Sequence, residues 1–204
     1  MPELMADYVY VLRTCDANMT SCGGFAWKRR GWVEADDWNP QPVCGGGLHG
    51  LPWGVGDGAL LNWSENAVWL AVRVDRSDGY VEFDGKCKFR RGYVVTAGTR
   101  EQAISVLVRH GGDVARIVGA VVSGGDRAVV SGGDYATVSG GYGAVVTGGH
   151  YATVSGGYGA ALSVLWWDTR ARRQRIAVAY VGENGIKPNT RYALNVQCEL
   201  KEEP

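Results

Sequence analysis

The sequence predicts a mainly β protein whose centre is a short β-solenoid, or β-roll, of octad repeats. Residues 122–161 contain five consecutive octads, and each octad opens with Val-Ser/Thr-Gly-Gly. Self-similarity at a fixed period is a strong indicator of a repeat architecture. Because paired glycines allow a sharp corner and the remaining residues suffice for one strand, each octad is predicted to form a strand and a corner.

A second period within the octads sets the size of the coil. Tyr135 and Thr137 recur two octads later as Tyr151 and Thr153, whereas the octads between them carry different residues at these places. The structural repeat is therefore predicted to be a sixteen-residue coil with two corners. Alternate octads then stack about 4.8 Å apart on one face of a flattened roll, and the others stack on the opposite face.

Side chains alternate along each strand, and this alternation predicts what the two outer faces present. The Ala and Val residues point inward, and one outer face carries an exposed ladder of Tyr135, Thr137, Tyr151 and Thr153. The other outer face is apolar, and a surface of this kind favours association. We predict that it is the interface of a homotrimer or dimer; the alternative is that both faces pack on the terminal domains. The predicted interface residues are Val129, Gly143, Val145, Gly159 and Ala161.

Residues 1–98 are predicted to form a small α+β domain. Residues 7–15 indicate an opening strand, and further strands are predicted at 67–74, 80–83 and 93–96. Six of the eight tryptophans precede residue 70, and they are predicted to supply much of the core because buried aromatic rings contribute a large area.

A connecting helix is predicted over residues 99–112, because Thr99 can cap its start and Gln102 stands at the capping-box position. The solenoid follows over residues 113–162. Residues 163–204 contain three apolar segments, which are predicted to form an antiparallel β-meander that caps the roll.

The composition bounds the classes of partner. The formal net charge is +0, which gives no global attraction to nucleic acid or to an anionic membrane. No apolar run reaches the roughly 18 residues of a membrane span, and the N-terminus lacks a signal pattern. We therefore expect a soluble protein made inside the cell, with neither nucleic acid nor a membrane as its partner.

The five cysteines are an odd set spread over the chain and do not suggest a disulfide scaffold. Cys15, Cys22, Cys44 and His49 offer the ligand types of a zinc site, but the gaps between the cysteines miss the usual pairing. We therefore predict no metal and no cofactor.

Three sequence elements together resemble a family of uncharacterised proteins of bacteria and phages. They are Cys44-Gly-Gly-Gly-Leu-His49, the Ser-Gly-Asp-Tyr-type octads and the segment Gly-Ile-Lys-Pro-Asn-Thr-Arg-Tyr ending at Tyr192. The Cys-x-x-Gly-Leu-His element is also similar to a module found beside pentapeptide-repeat solenoids, and the octads look like the rolls of trimeric adhesin heads. These resemblances imply a solenoid, possible trimerisation and a globular N-terminal module.

A looser resemblance concerns ADP-ribosyltransferase folds. Arg13 and His49 fit the basic residue of an early strand and the residue after a glycine-rich segment. Tyr93 stands where such folds place a glutamate, which would stabilise a developing positive charge. The resemblance therefore implies a binding relic rather than an enzyme.

These observations favour a non-enzymatic, phage-associated assembly or interaction protein that oligomerises through its solenoid. We expect it in the host cytoplasm or a virion, with a second copy and a host or virion protein as partners. The first alternative is a binder that sequesters a nucleotide-derived small molecule at Arg13, His49 and Trp53. The second alternative is a degenerate ADP-ribosyltransferase-like enzyme.

The same repeats also suggest an ice-binding role. Thr137-x-Ser139 and Thr153-x-Ser155 form a regular grid of hydroxyl groups. Two ranks are few, however, and the neighbouring tyrosines are expected to break the flatness of the face. The sequence alone therefore does not favour this role.

Overall fold

The computed structural model describes residues 7–21 and 23–203, and this part of the chain is mainly β with a single α-helix. Contacts between residues divide the chain into two compact units, residues 1–113 and residues 114–204. The helix that we predicted as a separate connecting segment lies within the first unit. The finer division into four segments stays a prediction.

The first unit contains an antiparallel sheet of seven strands and the α-helix. The strands lie side by side in the order β2-β7-β4-β1-β3-β6-β5. Four of the seven, β1, β4, β5 and β7, confirm strands predicted from the sequence, whereas β2, β3 and β6 do not correspond to strands predicted there. In chain order they are β1 (Tyr8–Cys15), β2 (Gly31–Glu34), β3 (Leu48–Pro52), β4 (Val68–Asp75), β5 (Tyr80–Phe83), β6 (Lys86–Phe89) and β7 (Arg91–Gly98).

Strand β1 lies inside this sheet and positions the residues of the first unit's cleft. It pairs with β4 along its whole length, from Tyr8 opposite Asp75 to Cys15 opposite Val68. On its other side it pairs with β3, where Leu12 lies opposite Leu51. Five of its eight residues are apolar or aromatic and buried, as expected of a strand covered on both faces.

Helix α1 (Arg100–Arg109) begins at the predicted cap. The hydroxyl of Thr99 accepts a hydrogen bond from the backbone N–H of Gln102, whose side chain accepts one from the backbone N–H of Thr99. Ile104 and Leu107 are buried on its inner side, and the helix packs against β1, β4 and β7. Among the residues described, no helix is long and apolar enough to cross a membrane.

The second unit consists of two sheets in which octads form the central strands. One sheet has the order β16-β15-β12-β10-β8 and the other the order β14-β13-β11-β9. Their bounds are β8 (Val121–Ser123), β9 (Val129–Gly132), β10 (Thr137–Gly140), β11 (Val145–Gly148), β12 (Thr153–Gly156), β13 (Ala161–Asp168), β14 (Arg173–Tyr180), β15 (Tyr192–Leu194) and β16 (Leu200–Glu202).

Octad strands pair in parallel with the strand sixteen residues away and not with the next strand along the chain. In the first sheet Thr137 lies opposite Val121 on one side and Thr153 on the other. In the second sheet Val145 lies in the same way between Val129 and Ala161. This register agrees with the sixteen-residue repeat predicted from the alternation of the octads.

The space between the two sheets is filled by the inward Ala and Val residues. Val138, Val146, Val154 and Leu162 are completely buried, and the alanines of the same octads are buried beside them. Deleting such side chains from a packed core costs about 2–5 kcal/mol for a Leu-to-Ala change. The inward stripe expected from the sequence is therefore confirmed.

The corners differ from the prediction. Tyr135, Tyr151, Gly143 and Gly159 were expected on strand faces, but all four have positive φ angles of 56, 57, 61 and 73°. They occupy the corner that precedes each strand, which starts two residues later than we had inferred. A left-handed residue reverses the chain at this point, and glycine adopts that conformation most readily.

The predicted C-terminal meander was wrong. Strand β14 pairs with β13 in one sheet, whereas β15 pairs with β12 in the other. The last strands therefore extend both sheets separately, each continuing the row of strands begun by the octads. This pairing satisfies the edges of β12 and β13, which would otherwise present unpaired backbone groups.

Candidate functional sites

The first candidate site is a hydroxyl face on the outer side of β8, β10 and β12. It consists of Ser123, Thr137, Ser139, Thr153 and Ser155, which alternate with inward valines, of which Val138 and Val154 are buried and Val122 is partly buried. On β8 the exposed Val121 stands at the place that Thr137 occupies on β10. The Oγ of Ser139 donates a hydrogen bond to the Oγ of Ser123 at 3.1 Å. The strands that carry these residues lie about 4.8 Å apart, and alternate residues along one strand are roughly 7 Å apart.

The tyrosines of the predicted ladder lie beside this face and do not interrupt it. The rings of Tyr135 and Tyr151 stack at the corner with their centroids 4.9 Å apart. His150 stacks on Tyr151 with a centroid separation of 3.9 Å. The predicted ladder is thus a corner stack of tyrosines followed by a grid of Thr and Ser residues.

The opposite outer face carries the residues predicted to form an interface between copies. Val129 is 83% exposed and Val145 is 46% exposed, whereas Gly143 and Gly159 lie at the corners. Strand β14 adds further exposed apolar residues to this face, because Tyr180 lies opposite Ala161. The prediction that this face joins copies of the chain stays a prediction.

The second candidate site is a cleft in the first unit. Arg13 on β1 and His49 on β3 meet there, and Arg13 Nη1 donates a hydrogen bond to the backbone oxygen of His49 at 3.0 Å. The guanidinium of Arg13 also lies over the ring of Trp27, 4.1 Å from its centroid. Trp53 was predicted to share this site, but it packs beside Tyr10 and does not line the cleft.

Two lysines of β6 add positive charge around the cleft. Lys86 lies on its wall, with its Nζ 2.9 Å from the sulfur of Cys44. Lys88 is completely buried and donates hydrogen bonds to the backbone oxygens of Val43 and Gly45 at 3.0 and 3.1 Å. The sequence reasoning missed both lysines, because Lys alternating with Cys and Phe is typical of an exposed strand face.

The charges of the cleft perturb its titrating groups. Burial lowers the pKa of His49, and the nearby Lys86, Lys88 and Arg13 lower it further. Burial also lowers the pKa of Arg13, although a guanidinium stays protonated in proteins. The Nε2 atom of His49 is buried without a hydrogen-bond partner. We call the pocket lined by Arg13, His49 and Lys86 the cationic cleft, whose volume is about 680 Å³. Lys88 is buried beside this cleft and does not line it.

Of the cysteines considered for a zinc site, Cys22 lies outside the described residues. Cys15 is buried, Cys44 is exposed, and both are free thiols. Within residues 7–21 and 23–203, no three His, Cys, Asp or Glu side chains are grouped so that they could hold a metal ion. The thiol of Cys44 instead faces Lys86.

One protein-family model matches the first unit of the chain. A family model described as a domain of unknown function (DUF7666) matches residues 9–106, slightly less than half of the chain. The matched segment spans β1 to α1 and therefore includes the whole cationic cleft. No solved structure shows significant similarity to the chain.

Several relatives are named ice nucleation proteins. Ice nucleation protein InaU of Pantoea ananas is 36% identical over 108 residues, which are 52% of this chain and 10% of the relative. The ice nucleation protein of Pseudomonas fluorescens is 36% identical over 105 residues, and that of Xanthomonas campestris pv. translucens is 36% identical over 106. These alignments cover 51% of this chain, and 9% and 7% of the two relatives. The chain thus matches only a small part of each relative.

These similarities correct the functional expectation. The prediction of a phage-associated assembly protein with a trimeric roll was wrong, because the relatives come from bacteria and are named for ice nucleation. Tyr135 and Tyr151 stack at the corners and not on the strand face, so they do not weigh against an ice-binding role as was expected.

Proposed function

We propose that residues 114–204 form a short β-solenoid whose hydroxyl face binds ice. The parallel pairing of octads sixteen residues apart supports the solenoid. The identity of 36% to ice nucleation proteins over half of the chain is the observation that carries the functional proposal. We attribute part of this similarity to the octads of residues 122–161, because tandem repeats are their most distinctive sequence feature. The 108 aligned residues are more than the octads contain, so the alignment also extends beyond them.

The geometry of the hydroxyl face supports the same proposal. Thr137 and Thr153 lie opposite each other on adjacent strands, and Ser139 and Ser155 repeat this arrangement two residues further on. A grid of this kind offers hydroxyls in register on adjacent strands to a crystalline layer of water. The threonine methyl groups add apolar area, whose removal from liquid water is favourable.

The size of the face limits what it can do. Two complete Thr-x-Ser ranks, with Ser123 at their edge, cover only three strands. An ice nucleus must reach a critical size before it grows, and a template of three strands is small. We therefore expect adsorption to existing ice and a change of crystal shape, with only a small rise in the freezing temperature of droplets.

Partition into slowly growing ice tests the proposal. The full chain is expected to be enriched in the ice relative to serum albumin in the same solution. Replacing both threonines, Thr137→Lys with Thr153→Lys, is expected to abolish this enrichment because charged, flexible side chains break the grid. The matched control carries Val129→Lys with Val145→Lys on the opposite face and is expected to partition like the unmodified chain.

Circular dichroism establishes that each double variant keeps its β structure. Two outcomes contradict the proposal: partition of the unmodified chain no better than albumin, and equal loss in both double variants. The second outcome would mean that added positive charge, rather than the hydroxyl face, controls partition.

A further inference from the structure

We propose that the cationic cleft of the first unit binds a small anion that carries phosphate or carboxylate oxygens. This inference does not depend on the ice-binding proposal, because it concerns residues of the other unit. It rests on three uncompensated positive side chains, on a buried imidazole nitrogen and on a glycine-rich wall.

The positive charges of the cleft lack acidic partners. Arg13, Lys86 and Lys88 form no ion pair with any Asp or Glu of the described residues. Instead Arg13 and Lys88 donate to backbone oxygens, and Lys86 faces a thiol. Buried charges in proteins are normally paired, so Arg13 and Lys86 on the lining of the cleft, with Lys88 buried beside it, leave a need for negative charge.

Two carboxylates, Asp36 and Asp37, also line the cleft. Both are exposed, and neither lies within ion-pair distance of the three cations. Water solvates these carboxylates, whereas Lys88 is completely buried and Arg13 is held between β3 and the ring of Trp27. The interior of the cleft is therefore positive even though its rim is mixed.

His49 supplies the polar atom that points to a ligand. Its Nε2 is buried without a partner, and an unsatisfied buried polar atom costs about 1–3 kcal/mol. Its ring lies among all three cations, which disfavour a further positive charge until an anion is present. An anion would accept a hydrogen bond from a protonated Nε2 and would offset the repulsion from Lys86 and Lys88.

The wall opposite these side chains is formed by Gly45, Gly46 and Gly47. Their φ angles are 84, 61 and 139°, a run of left-handed conformations that glycine adopts most readily. A Cβ atom at Gly46 or Gly47 would collide with Asn39 or Trp38, whereas Gly45 is open. Lys88 ties this segment in place by its hydrogen bond to the oxygen of Gly45. The wall therefore allows close approach of a ligand to the cations.

The hydrogen-bond donors of the cleft indicate which class of anion it would bind. Arg13 donates hydrogen bonds to the backbone oxygens of Thr14 and His49 and also interacts with the thiol of Cys15, so its guanidinium acts on an anion mainly through its charge. Lys86 offers a mobile ammonium at the wall of the cleft. Phosphate and carboxylate oxygens are the acceptors that bind such donors most strongly.

Isothermal titration calorimetry of the full chain with inorganic pyrophosphate and, separately, with citrate tests the proposal. Binding of either probe supports it, and the stronger of the two identifies the chemistry of the natural ligand. Lys86→Gln is expected to weaken binding at least about tenfold, equivalent to 1.4 kcal/mol. Lys28→Gln removes the same charge from an exposed position outside the cleft and is expected to leave the affinity within about twofold.

His49→Gln provides a second variant that keeps a polar side chain. It is expected to weaken binding and to abolish the proton uptake that accompanies binding in the unmodified chain. Proton uptake is measured by repeating the titration in buffers of different ionisation enthalpy. Absence of binding at millimolar probe, or equal weakening by Lys86→Gln and Lys28→Gln, would overturn the proposal.

Discussion

The carboxylate of Asp134 accepts a hydrogen bond at 2.8 Å from the backbone N–H of His150, sixteen residues further along the chain. Asp126 makes the same contact with the backbone N–H of Tyr142, also at 2.8 Å. Each aspartate therefore links its own corner to the corner sixteen residues later in the chain. These bonds continue the pairing between octads sixteen residues apart beyond the ends of the strands.

Asp134→Ala is expected to lower the free energy of unfolding by about 1.5 kcal/mol, because it removes a charge-assisted hydrogen bond between corners sixteen residues apart. Urea unfolding followed by circular dichroism measures this change. Glu183→Ala, an exposed acidic position of the same unit, serves as the control and is expected to change it by less than about 0.5 kcal/mol. Equal effects of the two changes would show that the corner bond contributes nothing.

Gly149→Ala is expected to destabilise the second unit by about 1–3 kcal/mol through overpacking. A Cβ atom at Gly149 would lie 2.5 Å from Asp134 Oδ1 and 2.7 Å from its backbone nitrogen. Gly143→Asn is the control, because its nearest contact there is the Cγ of Arg127 at 3.7 Å and Asn tolerates a positive φ. Thermal unfolding that ranked Gly143→Asn as the more damaging change would contradict the stacking of the corners.

The cysteines are expected to differ strongly in reactivity. Burial raises the pKa of Cys87 to about 12, and burial also raises that of Cys15, so neither forms the reactive thiolate near neutral pH. Cys44 is exposed. Iodoacetamide should therefore modify Cys44 in the folded chain and reach Cys87 only after denaturation, as read by peptide mass spectrometry. Native labelling of Cys87 as fast as that of Cys44 would show that β6 is not buried as described.

The stability of the first unit is expected to fall in acid through His49. Because its pKa is lowered from 6.5 in the folded chain, the unfolded chain binds the proton more readily as the pH falls below that value. The contribution of the neutral His49 to the free energy of unfolding is therefore fully present above about pH 6.5. It is lost as the pH falls through the pKa of His49 in the folded chain. His49→Gln should reduce the loss of unfolding free energy between about pH 7.5 and about pH 5.5. An unchanged pH dependence in this variant would contradict the assignment.

The repeat was predictable because the same residues recur at a fixed spacing along the sequence. The recurrence of Tyr135 and Thr137 as Tyr151 and Thr153 indicates that alternate octads stack, as the strand pairing shows. The corners were misplaced because a left-handed residue is usually glycine, and tyrosine there resembles the first residue of a strand. The period predicts which octads pair, but the strand boundary depends on backbone conformation.

The cleft was only partly predictable. Arg13 and His49 were expected together, and antiparallel pairing of β1 with β3 brings them together. Lys88 could not be recognised, because nothing in Lys86-Cys87-Lys88-Phe89 distinguishes a solvated lysine from one that is buried by a loop more than forty residues earlier. Burial of this kind depends on long-range packing rather than on local pattern.

The pairing of octads sixteen residues apart is the basis of the hydroxyl face, and solution NMR of the full chain tests it most directly. The structure predicts backbone nuclear Overhauser contacts in parallel register between Val138 and Val154 and between Val146 and Leu162. Contacts in antiparallel register between consecutive octads, for example across residues 138 and 146, would mean that the octads form hairpins. The Thr-x-Ser grid and the ice-binding proposal would then both be contradicted.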